Sequence, residues 1–159
     1  MAVHKIDGVD GVDHFPKKFV TLYGTAAITK GAWVALNLSD TTNGLGGSVV
    51  TGPSTTGAGD PLVFGVATET TTAAGNIVIQ TAGLYGDSSI AGSGAMTDGN
   101  ITAGLPLAAG DDGSAGQIDQ YEAGTHTNSG IVGIALTADA AGSYGANEAT
   151  VMIIDQGLF

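Results

Sequence analysis

The side chains that could carry chemistry are few and scattered. The histidines are His4, His14 and His126. None stands at a metal-ligand spacing from another or from a carboxylate, so no metal is expected. Asp111-Asp112-Gly113 pairs two carboxylates, but Asp-Gly is first a tight-turn signal, because both residues tolerate positive φ. Asp7-Gly8-Val9-Asp10-Gly11-Val12-Asp13 has the look of a calcium loop, yet the EF-hand spacing and its closing Glu are missing. It reads as an extended segment with turns. No nucleophile elbow, phosphate loop or dinucleotide fingerprint occurs, because the glycines do not open a helix after a strand. Neither catalysis nor a cofactor is expected.

The elements that would position any site repeat instead. Ile28-Thr29-Lys30-Gly31 through Leu36 returns as Ile101-Thr102-Ala103-Gly104 through Ala109. Gly65-Val66-Ala67-Thr68 returns as Gly133-Ile134-Ala135-Leu136, each followed by Ala-Ala-Gly. Asn76 to Tyr85 aligns with Thr150 to Phe159, which sets Ile77 against Val151 and Tyr85 against Phe159. What recurs is apolar strand plus glycine, with no acid, base or nucleophile, as a scaffold requires. Four segments follow: an extended N-terminal arm (1–20), a first β repeat (21–85), a Gly/Ser/Ala connector (86–100) and a second β repeat (101–159). Strands are expected at Phe19–Tyr23, Trp33–Leu38, Leu62–Thr68, Asn76–Thr81, Ile131–Leu136 and Thr150–Ile154, with a single helical or 3₁₀ turn over Thr70–Gly75. The fold class is mainly β: a small barrel or sandwich of two tandem related units.

Composition narrows the partners. The 159 residues include 27 glycines and no cysteine, and only 12% are charged. Net charge is −11 without an arginine. All four lysines, Lys5, Lys17, Lys18 and Lys30, lie in the first 30 residues, against three aspartates there. The other 129 residues carry 12 acids and no fixed positive charge. Such a body repels phosphate backbones, so no nucleic acid is expected. No apolar run is long enough to span a membrane, and Met1-Ala2-Val3-His4-Lys5 lacks the apolar core of an export signal, so assembly inside a cell is expected. Lys5 and the run His14-Phe15-Pro16-Lys17-Lys18-Phe19 form a mildly cationic, aromatic patch suited to gripping a partner. Trp33, the single tryptophan, is either a core residue or an interface anchor. With Leu84 and Leu158 it is a candidate for a seam between copies.

The repeated blocks carry a resemblance. Ile-Thr-x-Gly-x-x-Val-Ala-Leu, a glycine-rich loop, then Phe-Gly-Val-Ala with Ala-Ala-Gly and an apolar strand resembles the capsid decoration, or cement, proteins of tailed bacteriophages. The match runs over Ala27–Leu36, Val63–Leu84 and the second copy from Ile101 to Ile154, about three quarters of the chain. It implies a β-rich homotrimer on the outside of a phage capsid, partnered by the major capsid protein, with no enzyme activity and no cofactor. The duplication and the arm depart from the shortest members. Two other readings stay open: another structural virion part, such as a head fibre base, tail or baseplate protein, and a surface- or carbohydrate-binding β module.

Overall fold

The computed structural model describes residues 16–38, 40–43, 48–51, 63–85, 101–109, 116, 118–121, 130–137 and 150–156. Among them nine strands and no helix occur: β1 Lys18–Gly24, β2 Trp33–Leu36, β3 Ser48–Thr51, β4 Val63–Ala67, β5 Gly75–Tyr85, β6 Pro106–Ala109, β7 Ile118–Gln120, β8 Ile131–Ala135 and β9 Val151–Ile153. They follow in the order β1-β3-β2-β4-β5-β9-β8-β6-β7, and β1 also pairs with β5. That last pairing closes the first five strands into a barrel, with β1 parallel to β3 and antiparallel to β5. The mainly β expectation holds.

The two units share their local physics. Thr29-Lys30-Gly31-Ala32 and Thr102-Ala103-Gly104-Leu105 are turns closed by Ala32 N–H to Thr29 O (3.0 Å) and Leu105 N–H to Thr102 O (3.2 Å). Gly31 and Gly104 sit third, at φ 88° and 87°, where a type II turn needs glycine. β2 then pairs β4 as Trp33↔Val66, Val34↔Gly65 and Ala35↔Val63, and β6 pairs β8 as Pro106↔Ile134, Leu107↔Gly133 and Ala108↔Ile131. Both ladders break register at the same step, after Val34 and after Leu107.

The final strands correct the sequence alignment. β4 pairs Val66 with Gln80, and β8 pairs Ile134 with Met152. Gln80 therefore matches Met152, and Ile79 matches Val151, two residues away from the alignment that set Ile77 on Val151. A slip of two preserves which face each side chain occupies, so hydrophobic pattern cannot detect it. Phe159 lies outside the described residues.

β5 serves both units. Residues 75–82 pair with β1, while Gly83, Leu84 and Tyr85 pair with Ile153, Met152 and Val151 of β9. Its last three residues thus take the place in the second unit that β1 has in the first. The arm expected over residues 1–20 is described only from Pro16, and its last three residues belong to β1. The helical turn expected over Thr70–Gly75 does not form. Thr71 bridges Ile28 instead, and the Thr71 and Thr70 hydroxyls accept from the Ile28 and Lys30 N–H groups at 3.0 and 2.9 Å. Threonine hydroxyls offer such backbone partners in competition with a helix.

Two cores result. Val34, Val49, Phe64, Ile77 and Ile79 fill the barrel. The second core combines Leu107, Ile118, Val132, Val151 and Ile153 with Trp33, Ala35, Val63 and Val66 from the outside of the barrel. β4 is buried at every residue because Phe64 faces one core and Val63 and Val66 the other. Burial on both faces explains its unbroken apolar run.

Candidate functional site

The start of β1 holds the described part of the expected gripping patch. Pro16, Lys17, Lys18 and Phe19 are all exposed, Phe19 by 55%. Lys5, His14 and Phe15 lie outside the described residues. Local backbone chemistry positions the patch. Gly83 adopts φ 86°, and a Cβ there would stand 2.8 Å from the Pro16 carbonyl oxygen and 3.1 Å from Lys17 Cα. Glycine is what lets the chain cross β5 so closely. The register shift between Lys18 and Phe19 lies alongside, and the Gln80 carboxamide donates to Ala82 O (3.0 Å) and Leu84 O (2.9 Å). Lys18 Nζ forms an ion pair with Asp155 Oδ2, just beyond β9. The patch therefore sits where both units meet, with exposed Lys17 beside the Lys18–Asp155 ion pair.

The seam residues separate. Trp33 is fully buried between the two units, which corrects its assignment to a seam between copies. Its backbone N–H donates to Gly116 O (3.1 Å), and a side chain without exposed surface has nothing to offer a neighbour. Leu84 is half-buried beside Met152. Leu158 lies outside the described residues.

Gln80 and Gly83 were not legible as residues that position the patch. A lone polar residue and a lone glycine in an apolar strand were the available signals, and they have many ordinary explanations.

A second feature is an open, polar hollow of about 590 Å³ lined by Tyr23, Thr25, Asn37, Asp40, Asn43 and Ala74 among others. The Asn43 amide and the Asn43 and Thr42 backbone N–H groups hold the Asp40 carboxyl well below the usual carboxylate range. Asp40 Oδ1 accepts from Thr42 N–H (2.8 Å) and Asn43 N–H (3.1 Å), and Oδ2 from the Asn43 amide (2.8 Å). These bonds commit Asp40 to shaping its turn, and a carboxylate stabilised in its charged form is a poor proton acceptor. Among the described residues no group of three His, Cys, Asp or Glu could hold a metal ion. No helix among them is long and apolar enough to cross a membrane.

No protein-family model and no curated protein sequence matches the chain. Four solved chains match it in a structural comparison, among them the crystal structure of the head fiber gp8.5 N base of bacteriophage phi29. The likeness has a TM-score of 0.51 at 15% identity and spans 88% of this chain and 96% of that one. At so low an identity it speaks for the fold: the architecture described here is similar to that of a phage head fibre base almost from end to end.

Proposed function

We propose that this chain is a structural component of a bacteriophage virion, bound to the outer surface of the head through the major capsid protein and bridging adjacent shell subunits as a homotrimer. The observation that carries the reading is the mutual coverage of 88% and 96% with a head fibre base, because a likeness over most of both chains is more than one small barrel in common. The sequence resemblance to capsid decoration proteins points to the same place on a virion. The chemistry is compatible: an acidic body with its lysines gathered at one end suits a protein whose foot meets the shell and whose bulk faces solvent. Binding free energy spent across a seam stabilises only the assembled shell, by mass action. No catalysis, cofactor, nucleic acid or membrane contact is part of this reading. The fold likeness favours a second form of it, in which the chain is the base of a longer head appendage.

The test is reconstitution on particles of the phage that encodes the chain, made without it. The protein should cosediment with them and appear by cryo-electron microscopy on the outer shell. A variant lacking residues 2–16 should stay folded and fail to bind. Lys17→Glu should slow association and change its salt dependence, since exposed charges steer encounter. Absence of binding to complete particles would overturn the proposal, and density only at the tail would move the protein elsewhere on the virion.

A further inference from the structure

The register assigns equivalent outer faces to the two units, and among the described residues only the first is packed against another unit. On the barrel, Trp33, Val66, Gln80 and Phe19 are successive cross-strand partners on β2, β4, β5 and β1. Trp33 and Val66 are fully buried, because the second unit lies over them. In the second unit the same row reads Pro106, Ile134, Met152 and Leu84 on β6, β8, β9 and β5. All four are half-buried, and no described strand packs over them. The neighbouring row continues the patch. Ile131, the counterpart of fully buried Val63, is 43% exposed, and Ile154, two residues past Met152 on the same face, is 37% exposed.

We propose that this face of the second unit is a contact surface for another copy of the chain. The homotypic choice rests on two observations. The equivalent face of the first unit is already an interface, and what covers it is a unit of this same fold. The body beyond residue 30 carries 12 acids and no lysine or arginine, so copies repel one another over most of their surface. The described side chains that make up this patch, Pro106, Ile134, Met152, Leu84, Ile131 and Ile154, are all uncharged, so their burial against a like patch desolvates no charge of their own. The inner face of the second unit is filled by Trp33 and its neighbours, so the tandem contact cannot simply propagate head to tail. Three such faces converging on a threefold axis give a closed assembly without that propagation. The contact deepens the proposed homotrimer by locating its surface, but it stands on the register alone: it can fail while particle binding succeeds, and the reverse.

The test is the mass in solution. Sedimentation of the full chain should give a multiple of 15.6 kDa, and the Ile131→Asp/Ile154→Asp double variant should sediment as a single copy with an unchanged circular dichroism spectrum. The chain has no cysteine, so an Ile131→Cys spin label reports independently of that variant's folding. It should show copy-to-copy dipolar broadening that is lacking from an Ala73→Cys label, placed on an exposed bend of the first unit. A monomeric wild type at all concentrations, an unchanged mass in a folded double variant, or equal broadening at the two label sites would overturn the proposal. So would protection of Ile131 only on particles, which would make the shell protein the occupant.

Discussion

The Trp33 indole lies against Gly133: a Cβ at that glycine would stand 3.5 Å from the Trp33 Cη2 and 2.8 Å from the Met152 carbonyl oxygen. Tryptophan from the outside of one unit thus reaches the backbone of the other, and glycine leaves it room. Trp33→Ala should cost about 3–5 kcal/mol in denaturant unfolding, the range for emptying an aromatic site in a core. Trp33→Phe should cost clearly less, because the indole N–H finds no acceptor among the described residues and its loss forfeits no hydrogen bond there. Equal losses for the two variants would show that the N–H matters.

Gly83 and Gly104 separate backbone strain from crowding. Both have positive φ, 86° and 87°, but a Cβ at Gly104 meets nothing within 4 Å. Gly104→Ala should cost about 1–2 kcal/mol for the left-handed backbone alone. Gly83→Ala should add a further ~1–3 kcal/mol, because the Pro16 carbonyl must move. Thermal unfolding of both variants checks the difference, and equal costs would mean that Pro16–Lys17 shifts freely.

Gln80→Met places in the first unit the residue that the second unit has at Met152. It should destabilise the fold by about 1–3 kcal/mol, since two carbonyls lose their donor in a buried strand. Exchange of the Leu84 and Tyr85 amides should quicken. A neutral substitution would show that water replaces the carboxamide.

Asp40 sets a pH expectation. Its folded pKa is depressed, so the stabilisation its charge supplies is present above the unfolded value of about 3.9 and is lost as pH falls through the lower folded value. The Thr42 and Asn43 amide resonances should therefore hold steady from neutral pH through 3.9 and move only below it. A midpoint near 3.9 would show that the turn leaves the carboxyl unperturbed.

Asp155→Asn removes the partner of Lys18. Both side chains are substantially exposed, 51% and 36%, so the loss should be below about 1 kcal/mol and should shrink with added salt. A larger, salt-independent loss would indicate that the pair locks β1 to the second unit.

The β class and the paired turns were legible in the sequence because their causes are local. Ile-Thr-x-Gly puts a glycine where a type II turn needs positive φ, and Gly31 and Gly104 adopt it with nearly the same φ. Alternation along Phe19–Tyr23 and the unbroken apolar run at Val63–Ala67 likewise declared strands before any partner was known. The tertiary structure alone decided what those strands pair with. That β5 completes the barrel and then lends Gly83–Tyr85 to the second unit is a non-local choice. The two-residue shift that matches Gln80 with Met152 is invisible to a pattern of period two. Trp33 declared itself apolar and large, but its burial between units depends on a strand 100 residues away, where Gly133 leaves it room. Ile131 and Val63 are both apolar strand residues at equivalent positions. Val63 is covered and Ile131 exposed only because the second unit packs on the first and nothing described in the chain packs on the second.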